Sequence, residues 1–296
     1  MGYLFLAIAL AAGMTKGYCG KMTSGYTATF RDAMQANLIR MGLCIVIGLF
    51  VIFVQGAADY LLPTGKLLAI CALSGAANAM FVATWLICVR KSAYMMLDVF
   101  LMLGIAVPLL LGKLLFSEDI LPLQWLGLAV LLCAVLLMCS YNNSIKEKLT
   151  LPALLLLLLC GTMSGTADFS QKLFVKVLPD VPVSVFNFYT YIFAALTLGG
   201  AFLLSGRHAD DTPKPQLGKI SIYIAIMALC LFLNTFFKTM AARHLDGILL
   251  YPLLQGGSLI LASLMSAVLF REKLTGKAIA GIVSALSALI IINVLA

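Results

Sequence analysis

The sequence predicts an all-α integral membrane protein of ten transmembrane helices, built as two inverted five-helix repeats, and three observations carry that prediction. Of 296 residues, 62% are hydrophobic and 11% charged, with a mean hydropathy of +1.07. A soluble domain averages about 45–50% apolar and about 25% charged, so this composition cannot maintain a water-facing surface. Short polar joints divide nearly the whole chain into stretches near the ~20 residues a helix needs to cross about 30 Å of hydrocarbon. The roughly ten-residue alternating segments of a membrane β-barrel are missing. Finally, one long stretch occurs twice. Ser92–Gly127 and Leu245–Gly281 each run through an apolar segment with a matched glycine (Gly104, Gly257). Each then reaches a Phe-x-Glu (Phe116 and Glu118; Phe270 and Glu272) and a second glycine nine residues after the Glu (Gly127, Gly281).

The first span, 2–20, begins at Gly2 with no basic leader and no small-x-small cleavage site, which reads as a retained span rather than a signal peptide. Span 2 (34–55) ends at Gly56-Ala-Ala-Asp-Tyr60, and span 3 (67–89) lies between Lys66 and the basic pair Arg90-Lys91. Span 4 (92–114) contains Pro108, which cannot donate to the carbonyl of Gly104. Span 5 (122–141) opens on Pro122 and stops at Tyr141-Asn-Asn-Ser. Span 6 is 151–173, and span 7 (184–205) follows Pro179-Asp-Val-Pro182. The longest polar piece, Ser205–Lys219, is a surface loop ahead of span 8 (219–241). Span 9 (246–269) holds Tyr251-Pro252 and Gly256-Gly257, where the helix is least able to satisfy its own backbone. Span 10 (276–295) offers a small face of Ala280, Ser284 and Ala288.

The duplication extends to Gly13-x-x-x-Gly17 in span 1 against Gly161-x-x-x-Gly165 in span 6, and to Asn37 in span 2 against Asn187 in span 7. The halves are 1–145 and 146–296. Five spans per half is odd, so the second half enters the membrane inverted, an architecture that places a central site between halves.

Ten spans with a twice-repeated small-residue helix, Phe-x-Glu and glycine-opened helix resemble the drug/metabolite transporter superfamily, in particular its EamA-type members. The resemblance covers essentially the whole chain. It implies an alternating-access solute transporter whose cavity is lined by spans 1 to 4 and 6 to 9, with spans 5 and 10 packing outside. Two positions depart from the family pattern. Ala12-Gly13 stands where members often have Trp-Gly, and the first helix offers Lys16 rather than the membrane Glu of the small multidrug relatives.

No enzyme motif is present: both His (208 and 244) lie in joints, and there is no H-E-x-x-H, G-x-S-x-G or phosphate-binding loop. The eight cysteines occur without a C-x-x-C pair and read as small buried hydrophobes, so no metal or other cofactor is expected. The net charge of +8 sits in the joints, facing anionic lipid rather than nucleic acid.

Charges inside spans are costly and normally face a cavity or a partner. Here they are Lys16, Arg40, Asp98, Asp168 and Lys238. Depth along the spans puts Lys16, Arg40 and Asp98 toward one face and Asp168 and Lys238 toward the other. That predicts two gating pairs, Asp98 with Arg40 or Lys16 and Asp168 with Lys238; snorkelling or permanent packing pairs are the alternative. Asn78, Trp85, Tyr94, Asn187, Tyr189, Tyr191, Asn234, Tyr251 and Gln255 are the candidate substrate-binding groups. Helix-to-helix hydrogen bonds are an equal alternative for each. The G-x-x-x-G pairs are assigned to packing, and Glu118 and Glu272 to helix caps, with Thr275 a cap and Pro122 a first helical residue.

The expected function is transport of a small polar or amphiphilic metabolite, such as an amino acid or related anion or zwitterion, across the inner membrane. The alternatives are a multidrug exporter and a non-transporting receptor or assembly subunit. Proton or ion coupling and direction stay open. Joints on one face carry twelve Lys and Arg against five on the other, which predicts external termini, whereas the family resemblance implies cytoplasmic ones.

Overall fold

The computed structural model describes residues 1–26, 29–91, 94–116, 121–145, 150–204, 217–245, 247–271 and 275–293. It is all-α: 90% helical, and without a strand among the described residues. The helices are α1 (Gly2–Ser24), α2 (Phe30–Val54), α3 (Gly65–Lys91), α4 (Tyr94–Met102), α5 (Ala106–Phe116), α6 (Pro122–Ile145), α7 (Leu151–Val177), α8 (Val183–Leu204), α9 (Leu217–Ala242), α10 (Gly247–Val268) and α11 (Gly276–Asn293). Eight helical stretches are long and apolar enough to cross a membrane, with two shorter apolar ones, Leu253–Val268 and Gly276–Ile292. Ten spans result because α4 and α5 are one element, joined through a 3-10 turn at Leu103–Ile105.

That turn has a cause in the sequence. Pro108 gives the Gly104 carbonyl no amide partner, and the chain tightens there. Span 9, where Pro252 and Gly256-Gly257 predict a similar break, is instead a continuous helix.

Helix starts follow capping chemistry. Thr29 accepts from the Asp32 amide at 3.2 Å while the Asp32 carboxylate accepts from the Thr29 amide at 2.9 Å, a complete capping box on α2. Thr275 accepts from the Ala278 amide at 3.3 Å, and Pro122 is the first residue of α6. Glu118 and Glu272 lie outside the described residues.

Hydrocarbon tails are as apolar as Leu, so helices in lipid associate by close packing rather than by expelling water. The lipid face is visible on α2, where Val46, Phe50, Phe53 and Val54 stand exposed along one stripe. The repeated glycines mark the tight crossings. A Cβ on Gly104 would fall 2.5 Å from the Gly161 carbonyl and 3.0 Å from the Gly165 amide, so span 4 and α7 meet backbone to backbone. A Cβ on Gly127 of α6 would strike Ile292 and the Ala288 carbonyl of α11, and one on Gly281 of α11 would strike Met138 of α6 near Ala134. The two contacts are reciprocal: adding 154 to each α6 residue gives its α11 counterpart. Both helices pack on each other, away from the central cavity.

Candidate functional site

Six helices, α1, α3, α4, α7, α9 and α10, enclose a central cavity of about 150 Å³. Its floor is charged. Asp168 of α7 and Lys238 of α9 form an ion pair with 11% and 14% side-chain exposure, and Gln255 of α10 donates to the second Asp168 oxygen at 3.4 Å. Gln171 shares the wall with Asp168 because three residues separate neighbours on a helix face. Lys16 and Asp98 line the same cavity. The two-ended separation expected from span depth is therefore corrected: four of the five charges line one space. Arg40 does not reach it. Its side chain is buried at 3% exposure beside Cys44 and Tyr191, with Nε lacking an acceptor. Neither Lys16 nor Arg40 makes an ion pair with Asp98 among the described residues.

The neutral wall groups are anchored from behind. Asn234 Nδ2 donates to the Ala9 carbonyl at 2.7 Å, and Asn78 Nδ2 to the Ser74 carbonyl at 2.9 Å, so each amide oxygen is the end left for a solute. Gly13 and Gly17, assigned to packing from sequence, lie on the cavity wall, opposite Asn234 and the Tyr94 hydroxyl. At the far end of α1 the rings close ranks. Trp85 stands edge-on to Tyr94 at 6.5 Å, Tyr94 packs on Phe270 at 5.4 Å, and Tyr18 stacks on Phe270 at 6.2 Å. Lys21 lies over the Phe270 ring at 5.7 Å and donates to the Val89 carbonyl at 3.0 Å, tying α1, α3 and α10 together.

The three α8 candidates are elsewhere. Asn187 is buried off the cavity, Tyr189 donates to the Leu61 carbonyl at 2.8 Å, and the Tyr191 hydroxyl lies 2.5 Å from that of Thr235. α8 packs on α2 and α3, so its polar face locks the bundle instead of meeting the cavity. Tyr191 touches the site only indirectly, through Thr235 and the Leu231 carbonyl, both residues of the wall. The Tyr251 side chain lies outside the described residues. Sequence reading missed Ser164, Gln171, Thr235 and Ser258. The signal was available in part, since Ser164, Asp168 and Gln171 follow the i, i+4, i+7 spacing of one helix face.

Residues 151–294 match the model of the EamA-like transporter family. The second half of the chain is similar to that family. It lies within the drug/metabolite transporter superfamily, and EamA members are membrane transporters of small molecules, not enzymes. One solved crystal structure aligns over 100% of this chain and 97% of its own, with a TM-score of 0.64 at 13% identity, a likeness of fold. No curated protein matches.

Against the EamA expectation of a cavity lined by spans 1 to 4 and 6 to 9, spans 2 and 7 (α2 and α8) stand back from it. They pack on one another. Spans 5 and 10 pack outside, as the EamA pattern implies.

Proposed function

We propose that the protein is a secondary carrier in the inner membrane, moving a small polar or amphiphilic metabolite through the central cavity by alternating access. The observation that carries this reading is the convergence of Lys16, Asp98, Asp168 and Lys238, from four helices, on one space within the membrane. Burying four charges in lipid is expensive, and a scaffold has no use for the expense. Residues 1–145 and 146–296 act as two inverted repeats. Support comes from the reciprocal Gly127 and Gly281 contacts and from helix pairs that recur in both halves, α1 with α9 as α7 with α3. Rocking of the halves opens the cavity to each side in turn. The Asp168–Lys238 pair bridges α7 and α9 at one end, and the Trp85, Tyr94 and Phe270 rings close the other. The partners are the solute and the bilayer; the reading leaves coupling to a proton or ion unassigned.

The test is thermal stabilisation of the purified protein by a metabolite panel, then flux of each stabilising compound in proteoliposomes. Saturable flux abolished by Asp168→Asn is expected. Stabilisation without flux for every compound would leave a binding protein and overturn the carrier reading.

A further inference from the structure

The charges on the cavity wall are unequally paired. Lys16 and Lys238 face Asp98 and Asp168, and Arg40 is buried behind them within electrostatic reach of Lys16. The wall itself carries two cations and two carboxylates; with Arg40 behind it, the described charges around Lys16 are three cations and two carboxylates. Asp168 is committed to Lys238 and to Gln255. Lys16, by contrast, makes no hydrogen bond or ion pair among the described residues, and Arg40 Nε is buried without an acceptor. An ammonium held in a membrane interior with no carboxylate in direct contact is costly, and the cost is relieved by whatever anion arrives.

Resting on the carrier reading, we infer that the solute is a small organic anion whose carboxylate, or an equivalent oxyanion, docks on Lys16. A cation docking beside Lys16 would add like charge to Lys16, Lys238 and Arg40, and Asp168 is held from two sides. A neutral solute would leave the excess charge unanswered. The rest of the solute lies against Phe81, Trp85, Met102 and Leu259, an apolar and aromatic wall. The size fits: about 150 Å³ is the volume of a cavity that accommodates one benzene-sized molecule. The anion is therefore carried on a compact, ring-sized body.

Benzoate, benzylamine and benzyl alcohol share one body and differ in charge, so they isolate the claim. In uncharged detergent, benzoate is expected to raise the melting temperature of the full-length protein while the other two at equal concentration do not. Lys16→Met should weaken benzoate binding by roughly tenfold or more, the loss of one charge-assisted hydrogen bond, and Lys16→Arg should retain it. Absence of benzoate binding, equal binding of benzylamine, or unchanged affinity in Lys16→Met overturns the inference and leaves the carrier reading standing. Benzoate that binds through Lys16 but never crosses in proteoliposomes upholds the inference and sinks the carrier reading. Repeating the measurement in nanodiscs rich in anionic lipid separates a solute from a headgroup. Benzoate binding that persists there supports the solute, and its displacement assigns the site to lipid phosphate.

Discussion

Neutralising Asp168 should destabilise the protein more than neutralising Lys238, and removing both should cost least. Asp168 and Lys238 pair at 11% and 14% side-chain exposure, and breaking a buried pair from one side costs about 3–5 kcal/mol. The pair faces a cavity, which places Asp168→Asn near the lower limit, about 3 kcal/mol. That variant leaves the Lys238 ammonium beside Lys16 with the local carboxylate gone. Lys238→Met leaves Asp168 with the Gln255 amide and with Lys16, whose charge it feels, so about 2 kcal/mol is expected. The double variant Asp168→Asn/Lys238→Met strands neither charge and should lose only about 1 kcal/mol. At about 2 °C per kcal/mol for a chain of this size, the melting temperature falls by roughly 6, 4 and 2 °C. Cys19, Cys44, Cys71, Cys88, Cys160 and Cys230 are all buried, so in a Cys133→Ser/Cys139→Ser background, which removes the exposed and half-buried thiols, a thiol-reactive dye reports the melt. A double variant whose loss equals the sum of the single losses would show that the two side chains do not act as a pair. A Lys238→Met loss exceeding that of Asp168→Asn would show that Lys16 gives Asp168 no support.

Gly104→Ala should lower stability by about 1–3 kcal/mol, because its Cβ meets backbone of α7 that cannot yield. Gly42→Ala, with nothing within 4 Å, should raise it by up to about 1 kcal/mol, and dye-monitored melts of both give opposite signs. Thr29→Ala removes the cap of α2 and should cost about 1 kcal/mol, read from the same melt. Reporters fused ahead of Gly2 and after Ala296 should give the same sidedness, since ten spans return the chain to its starting face. Opposite readings would remove one span from the topology.

The spans were legible because each is set by a length of hydrocarbon and bounded by residues that cannot continue a helix in lipid. Pro122, Thr275 and the Pro108 turn all stand where local chemistry puts them. Of the site, Lys16, Asn78, Trp85, Tyr94, Asp98, Asp168, Asn234, Lys238 and Gln255 were readable from one rule, that polar groups in lipid face a cavity or a partner. The same rule cannot choose between the two, and that is why Asn187, Tyr189, Tyr191 and Arg40 were misplaced. Tyr191 and Asn234 look alike in sequence, yet one hydroxyl is spent on Thr235 while the other side chain reaches the cavity wall. The choice depends on how each helix is rotated, which is a property of its neighbours. Pro252 shows the same limit in the backbone: it is chemically equivalent to Pro108, but the helix around it stays continuous.

The repeated glycines carry different work in the two halves, and the difference bears on how the cavity opens. Gly104 lies against Gly161 and Gly165 with no side chain between the backbones. A Cβ on its counterpart Gly257 would fall 3.1 Å from the Leu10 side chain of α1, so a leucine lies between that pair of helices. Gly127 and Gly281, by comparison, make matching contacts across α6 and α11. The outer pair is thus symmetric and the inner crossings are not. The inner helices line the cavity, and a bundle that rocks about a symmetric seam needs its two inner crossings to be unequal at any one moment. On the proposed carrier reading, α6 and α11 are expected to form the fixed seam, and span 4 with α7 and α1 with α10 the crossings that change.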